Sequence, residues 1–486
     1  MENLETKHIH FIGICGVAMS ALATAFHNEG WQVTGSDVGF FPPISDYLKN
    51  NNIAFYPGWH VEKMMQYGAP DVIVVGNVAG STNPEFIFAQ ENKLNYKSYP
   101  EVIAEYIVEK NSLVCAGTYG KTSTSVLLTL LLQKAGFDPS YMFGGLSKNI
   151  TSSAKIKSNA KEKLAAWSVL EGDEYKTARW DNRPKFALYS PTHLLLTAVT
   201  WDHADIYPTE ESYLQAFKDL VAMIPADGII VTTLDDKIKK VLENKLEKTN
   251  VVSYGKDEKS DYILSDITQT VAGLNFKISH NGQEHTVHTP VIGEHMAENI
   301  CGVFAMATEI GIDANIILQT IAEFNGIKRR LEKRYQGIIT IYDDLAHSPA
   351  KAQATLKTLR SIYPQNKIIA IFEPNTGNRR PQAAISYDRA FNDADEVIIP
   401  NLTKLKINEQ ETELPFEGQT LQEIIAKTHP KATFIENDNN LIEYIKNNTK
   451  KEDVVVFLGS HGFRGMIDEL VLQVANPPSL FKVDLV

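Results

Sequence analysis

Apolar positions recur along this chain in two alternating registers. IHFIGI (9–14) is a short run rich in β-branched residues and predicts a buried strand, Val17–Asn28 repeats apolar residues at helical spacing and stops at Gly30, and WQVTGSD (31–37) predicts a second strand. DVIVVGN (71–77) predicts a later strand carrying Asn77 at its C-terminal end. From His8 to about Tyr106 this alternation predicts a parallel α/β layer. A second unit opens at SLVCAG (112–117) and runs to about Lys333, with strands expected at 165–170 and 194–199. Within it, residues 262–289 predict a β meander whose Asn281-Gly282 pair suits a type I′ hairpin turn. A third unit begins near Arg334, with strands predicted at 338–342, 367–372, Glu396–Pro400 and 454–458. Its helix Pro349–Ile362 starts on proline, where no intrahelical N–H is needed. Short charged segments at 107–111 and 331–337 are the expected linkers, dividing the chain into domains 1–107, 108–333 and 334–486.

The length of 486 residues fits three domains of this kind. With 43% hydrophobic and 22% charged residues the chain is ordinary globular protein, neither disordered nor fibrous. Its formal net charge of −12 argues against general affinity for nucleic acid or anionic membrane, while leaving room for a local cationic phosphate pocket. Three cysteines, Cys15, Cys115 and Cys301, lack metal-ligand spacing and fit a reducing compartment. No signal-peptide pattern and no long apolar run is present, so a cytoplasmic location is expected.

The strongest local signal is AGTYGKTSTS (116–125), set between a strand and an apolar-periodic helix. Gly117 and Gly120 let backbone N–H groups turn inward around a phosphate at a helix N-terminus. Lys121 is expected to neutralise β and γ phosphates, and the Thr122 hydroxyl to hold Mg²⁺. Near the N-terminus, Gly13-Ile14-Cys15-Gly16 follows the first strand and Asp37 ends the second, which resembles half of a dinucleotide fingerprint. A nicotinamide site is weakened by the missing GxGxxG and by the second phosphate loop; a pyrophosphate-bearing ligand at this helix start is the expectation, with simple strand-to-helix packing the alternative. EGDE (171–174) and Asp202-His203-Ala204-Asp205 sit at two expected strand ends, so Glu171 and His203 are candidates for a shared metal facing Lys121. His295 and Asn299 share a helix face, and Asn299 can pair with an adenine edge or cap a helix. KRR (328–330) is either a solvated turn or a charge clamp on phosphates.

Taken with HFIGICGVAMSALA, GSDVGFFPPIS, LEGDEYKTARWDNRPKF, WDHADIY, KRRLEKR, IYDDLAHSPAKAQATLKTLR and GSHGFRGMIDEL, these motifs resemble the Mur ligases of peptidoglycan metabolism over nearly the whole chain. The resemblance implies an α/β, three-domain Mur ligase architecture, with Rossmann-like N- and C-terminal domains flanking a central P-loop ATPase domain. It implies ATP and Mg²⁺, and an amide-forming reaction in which a muramyl carboxylate attacks the γ phosphate and an amine displaces phosphate from the acyl phosphate. Within the family the chain is most similar to the branch joining UDP-N-acetylmuramate to L-alanyl-γ-D-glutamyl-meso-diaminopimelate. The L-alanine-adding branch is the alternative, and a non-catalytic nucleotide-binding protein the alternative of another class.

The implied sites follow residue by residue. UDP-sugar binding falls to Gly13, Gly16, Met19, Ser36, Asp37 and Asn77. ATP binding falls to Gly117, Thr118, Gly120, Lys121, Thr122, Ser123, His295, Asn299, Arg330 and Asp344. Metal ligation falls to Thr122, Glu171 and His203, and catalysis to Lys121, Glu171, His203, Arg330 and His347. Lys218, 15 residues after His203, is a candidate carbamate. Arg379, Arg380, Ser460 and His461 are candidate peptide contacts. Tyr119, Met296 and Ser348 depart from the family pattern, as do EPNTGNRR (373–380) and SHGF (460–463).

Overall fold

The computed structural model describes residues 6–40, 44–77, 79–157, 166–201, 203, 206–243, 249–404 and 415–475. They form two compact units: Met1–Thr268 with Leu274–Val291 and His295–Asn325, and Gly326–Val486 with Gln269–Gly273 and Ile292–Glu294.

The first unit contains two main sheets. One is wholly parallel, in spatial order Ala54–Pro57, Gln32–Asp37, His8–Ile12, Val72–Val75 and Tyr96–Ser98. Helix Val17–Asn28 forms as expected and covers it with Leu22, Ala23 and Phe26; it ends where Gly30 takes φ +82°. Helix Pro84–Glu91 is capped by Asn83, whose Oδ1 accepts from the Phe86 N–H at 3.0 Å. The second sheet has ten strands, ordered Gln283–Thr289, Gly273–His280, Tyr262–Thr270, Asn250–Gly255, Ile229–Thr232, His193–Leu196, Asn111–Ala116, Trp167–Gly172, Ser140–Met142 and Ala154–Lys155. Its middle is parallel, and Asn111–Ala116 lies between His193–Leu196 and Trp167–Gly172. Thus the loop after Asn111–Ala116 is flanked by the C-terminal ends of both neighbours. Helix Lys121–Lys134 buries Leu127, Leu128, Leu130, Leu131 and Leu132, each worth about 1.5–3 kcal/mol over exposure. The meander turn is as expected, with Asn281 at φ +49° and Gly282 at φ +77°.

The second unit is a six-stranded sheet, Glu332–Gln336, Thr340–Asp344, Val454–Gly459, Ile368–Glu373, Glu396–Pro400 and Ala432–Ile435, parallel except for the first strand. Helix Pro349–Ile362 has the expected bounds, with Ser348 as N-cap. The segment 331–337, expected as a linker, is instead mostly the edge strand Glu332–Gln336. An edge tolerates charges that a central strand would not: Arg334 pairs with Asp343 and Asp468, and Glu332 accepts the Arg329 N–H at 2.8 Å. The next strand starts at Thr340 rather than 338 because the chain turns at Gly337, whose N–H meets the Ile339 carbonyl at 3.0 Å.

Candidate functional site

The phosphate loop is shaped by two close approaches. Gly117 has φ +128°, and a Cβ there would lie 2.4 Å from Thr197 Oγ1; Gly120 has φ +80°, and its Cβ would lie 2.4 Å from Asn299 Oδ1. Only glycine fits either place. Thr118 staples the loop to the neighbouring strand end, its N–H donating to the Ala198 carbonyl and its hydroxyl to Thr200, both at 2.8 Å. Gly120 also caps helix Lys121–Lys134, so the N–H groups and dipole of a 14-residue helix face the loop, with Ser123 in the first turn. Asn299 reaches Gly120 from helix Glu294–Glu309, which carries exposed His295 one turn earlier.

Beyond the loop stand two carboxylates with separate duties. Glu171 accepts the Thr122 hydroxyl at 2.8 Å on Oε1 and the Gly144 N–H at 2.6 Å on Oε2. Glu174, 1% exposed, meets Lys121 Nζ at 2.9 Å on Oε2 and His203 Nε2 at 3.3 Å on Oε1. Lys121 also donates to the Gly117 carbonyl at 2.7 Å. His203 sits at φ +59° with Nδ1 2.7 Å from the Tyr175 hydroxyl. Of the pair expected around one ion, Glu171 bonds Thr122 and His203 bonds Glu174 in the protein alone. Asp202, Ala204 and Asp205 lie outside the described residues. Asp173 is a third acid here; burial raises its pKa, but Lys185 at 2.5 Å outweighs this and holds it below the usual carboxylate range.

Thr122 and Glu171 offer adjacent hard oxygen donors, which suits Mg²⁺, a cation that keeps waters and phosphate oxygens in its shell. Among the described residues no three His, Cys, Asp or Glu side chains assemble into a metal cage. Lys218 lies on helix Glu210–Met223 with its ammonium 3.8 Å from Glu211, on the same helix.

At the end of the N-terminal sheet, Gly13 takes φ +91° and donates to the Ser36 carbonyl at 2.8 Å. Asp37 braces the turn, accepting the Cys15 N–H at 2.9 Å and the Val38 N–H at 2.7 Å. Two residues expected to touch a sugar nucleotide are buried. Ser36 is fully buried with its hydroxyl donated to Glu85, which also takes the Tyr56 hydroxyl and the His60 N–H at 2.7 Å; Met19 is buried beneath the turn, against Gly76. Alternation at a buried strand end points Ser36 inward. Asn77 remains exposed, just past its strand.

In the second unit Asp344 accepts the Leu331 N–H at 2.6 Å and the Ala346 N–H at 2.9 Å, and burial raises its pKa. Arg330 is exposed, while its neighbour Arg329, at φ +60°, clamps the carbonyls of Gly459, Ser460 and His461 at 2.7, 3.1 and 2.7 Å. His347 Nδ1 lies 2.7 Å from the Leu345 carbonyl, and burial lowers its pKa. Ser460 and His461 adjoin one another at 3.1 Å near the buried Glu373. Arg379, expected as a peptide contact, is 2% exposed and donates to the Phe416 and Thr403 carbonyls at 2.9 and 2.7 Å. It is a clamp on its own module, while Arg380 beside it is half-exposed. Glu174, Tyr175 and Arg329 were not singled out from sequence; the doubled acid in EGDE and the doubled arginine in KRR were the available signals.

Two glycine turns lead from parallel strands into helices, one of them beside a lysine and two acids, an arrangement that suits an α/β enzyme handling nucleotides. Family comparisons agree: "Mur ligase family, catalytic domain" matches residues 8–110, "Mur ligase middle domain" 115–307 and "Mur ligase, glutamate ligase domain" 329–461. A UDP-N-acetylmuramate–L-alanyl-γ-D-glutamyl-meso-2,6-diaminoheptandioate ligase from Haemophilus influenzae is 31% identical over 378 residues, 77% of this chain and 81% of its own. A UDP-N-acetylmuramate–L-alanine ligase from Streptococcus sanguinis is 32% identical over 401 residues, 82% of this chain and 84% of its own. Among solved structures, a murein peptide ligase from Psychrobacter arcticus covers 98% of this chain and 100% of its own, with TM-score 0.69 and 25% identity. A UDP-N-acetylmuramate–alanine ligase from Thermotoga maritima covers 96% and 99%, with TM-score 0.76 and 22% identity, a likeness of fold. The chain belongs to the Mur ligase family, ATP-dependent amide ligases of three-domain α/β fold. Among the described residues no helix is long and apolar enough to cross a membrane.

Proposed function

We propose that this ligase joins the carboxylate of UDP-N-acetylmuramate to the amine of L-alanyl-γ-D-glutamyl-meso-diaminopimelate. The observation that carries the substrate assignment is the EYKTARWDNRPKF stretch after the acidic strand end, taken with the like-named Haemophilus influenzae relative. The L-alanine-adding reading has its own support in the Streptococcus sanguinis relative of similar identity.

In this reading Gly13, Gly16, Asp37 and Asn77 frame the sugar nucleotide and the loop 117–123 holds ATP, with His295, Asn299, Arg330 and Asp344 serving the nucleoside. Thr122 and Glu171 would hold Mg²⁺, which would lower the charge barrier between two anions. Lys121 stabilises charge on the γ phosphate as the muramyl oxygen bonds to phosphorus and ADP leaves. The amine nitrogen then bonds to the acyl carbon, phosphate departs and the nitrogen gives up a proton. His203, bonded to Glu174, and His347 are the candidate catalytic imidazoles. Ser460, His461 and Arg380 are the candidate contacts to the peptide.

The test is phosphate release and product mass with ATP, Mg²⁺, UDP-N-acetylmuramate and each amine. Turnover with tripeptide far above L-alanine is expected. The reverse order establishes the L-alanine reading, and background release with both amines removes both.

A further inference from the structure

The ribbon Lys176–Ala178 and Asp181–Pro184 grows from the acidic strand end and turns tightly at Arg179-Trp180. Its tip lies on the N-terminal module. Trp180 packs against Phe86 and Tyr96 with ring centroids 5.2 and 5.8 Å apart, and Arg179 Nε donates to the Asn77 carbonyl at 3.2 Å. Asn77 follows the central strand Val72–Val75, and Gly76 before it presses on the Ile12 carbonyl, 2.9 Å from where a Cβ would lie. Arg179 is thereby held at the same sheet edge as the Gly13–Gly16 turn, where open parallel sheets bind their ligands.

Its charge is uncompensated there. Asp181, the nearest acid along the ribbon, is already taken bidentately by Arg183, with Nε 3.1 Å from Oδ1 and NH2 2.7 Å from Oδ2. Among the described residues no carboxylate pairs with Arg179, and Nε to Asn77 is the one hydrogen bond it makes. A guanidinium fixed at Nε presents its two terminal NH₂ groups as a planar fork, the geometry that suits phosphate or carboxylate oxygens. Trp180 fixes where that fork points.

We propose that Arg179 is a substrate-binding residue which the central module contributes to the sugar-nucleotide site, pairing an anionic group of UDP-N-acetylmuramate. The proposal rests on the sugar-nucleotide reading above. Two groups share the required chemistry, the diphosphate and the lactyl carboxylate that reacts. The ribbon also makes the device consequential, since only four residues separate Arg179 from Glu174, so an anion seated on the fork is tied directly to the strand end that holds Lys121 and His203.

Calorimetric titration of the full-length protein tests this with UDP-N-acetylmuramate, with UDP-N-acetylglucosamine, which has the same diphosphate and no lactyl carboxylate, and with Mg-ATP. Arg179→Gln is expected to weaken UDP-N-acetylmuramate binding roughly 10- to 100-fold and Arg179→Lys to recover part of it, with ATP affinity unchanged. An equal loss for UDP-N-acetylglucosamine assigns the fork to the diphosphate; a loss confined to UDP-N-acetylmuramate assigns it to the carboxylate. Unchanged affinity in Arg179→Gln, or equal losses for sugar nucleotide and ATP, overturns the proposal. Absence of sugar-nucleotide binding by the wild-type protein overturns the underlying reading instead.

Discussion

Arg379→Ala separates a structural clamp from a substrate contact. The guanidinium is buried, and it donates to Phe416 at 2.9 Å and Thr403 at 2.7 Å, two carbonyls that bracket the segment 404–415. Hydrogen bonds from a charged donor contribute about 1.5–3 kcal/mol each, and the orphaned carbonyls add to the loss. Glu417, 3.6 Å away and 78% exposed, adds nothing to this sum. Against it stands relief of a buried charge, whose desolvation pulls the Arg379 pKa down. The net expected cost is about 2–4 kcal/mol, which for a module of this size lowers the midpoint by roughly 4–16 °C. All five tryptophans, Trp31, Trp59, Trp167, Trp180 and Trp201, belong to the first unit, so their fluorescence is blind to this change. The assay is hydrogen exchange in Ile368–Glu373 and Ala432–Ile435 as temperature rises, beside the KM for the amine at a temperature where the variant is folded. Faster exchange with a KM within about twofold of wild type is expected. Unaltered exchange with a KM raised tenfold would refute the clamp and restore Arg379 as a peptide contact.

Two further outcomes follow from local geometry. Gly120→Ala places a methyl 2.4 Å from Asn299 Oδ1 in a left-handed residue, so ATP affinity measured by titration should fall at least tenfold; wild-type affinity in the variant would show the contact is not tight. His193, packed on Trp167 at 4.8 Å, has its pKa lowered to about 4 by burial, whereas the unfolded chain takes the proton near 6.5. Its contribution is therefore complete above pH 6.5 and lost as pH falls from there to about 4, on the order of 3 kcal/mol. The tryptophan-monitored midpoint should drop through that window in wild type and less in His193→Gln, and equal slopes would discard the assignment.

Much of this architecture was legible because its signals are local. Val17–Asn28 and Pro349–Ile362 carry their helical period and end signals within 12 and 14 residues, and Asn281-Gly282 states its turn outright. The edge strand Glu332–Gln336 was not, since its charges are tolerated only because one side lacks a neighbour, a fact about the sheet rather than the segment. Site residues divide the same way. Gly117, Gly120 and Lys121 belong to one contiguous loop whose chemistry is backbone geometry. Glu171 and Glu174 both stand in EGDE, yet which one meets Thr122 and which meets His203 depends on where the strand ends. Arg379 and Arg380 look alike in sequence and differ through Phe416 and Thr403, more than 20 residues away.

Glu174 shows what that division accomplishes. Lys121 is only 15% exposed, and an ammonium at that depth is costly unless an anion stays beside it. Glu174 and the Gly117 carbonyl supply that partner in the protein alone, so Lys121 is held at the mouth of the loop, aimed and neutralised, before any phosphate arrives. On the proposed reading, an incoming γ phosphate exchanges one anion for another, and the lysine crosses no stage at which its charge is bare. Because the same carboxylate also takes His203 Nε2, releasing Lys121 leaves Glu174 paired rather than isolated. Glu171 meanwhile accepts from Thr122 and Gly144, so the oxygens proposed for the metal are separate from the lysine-holding carboxylate. Two acids three residues apart can thus serve different partners, since the Lys121 ammonium beside Glu174 would repel a second cation from that carboxylate.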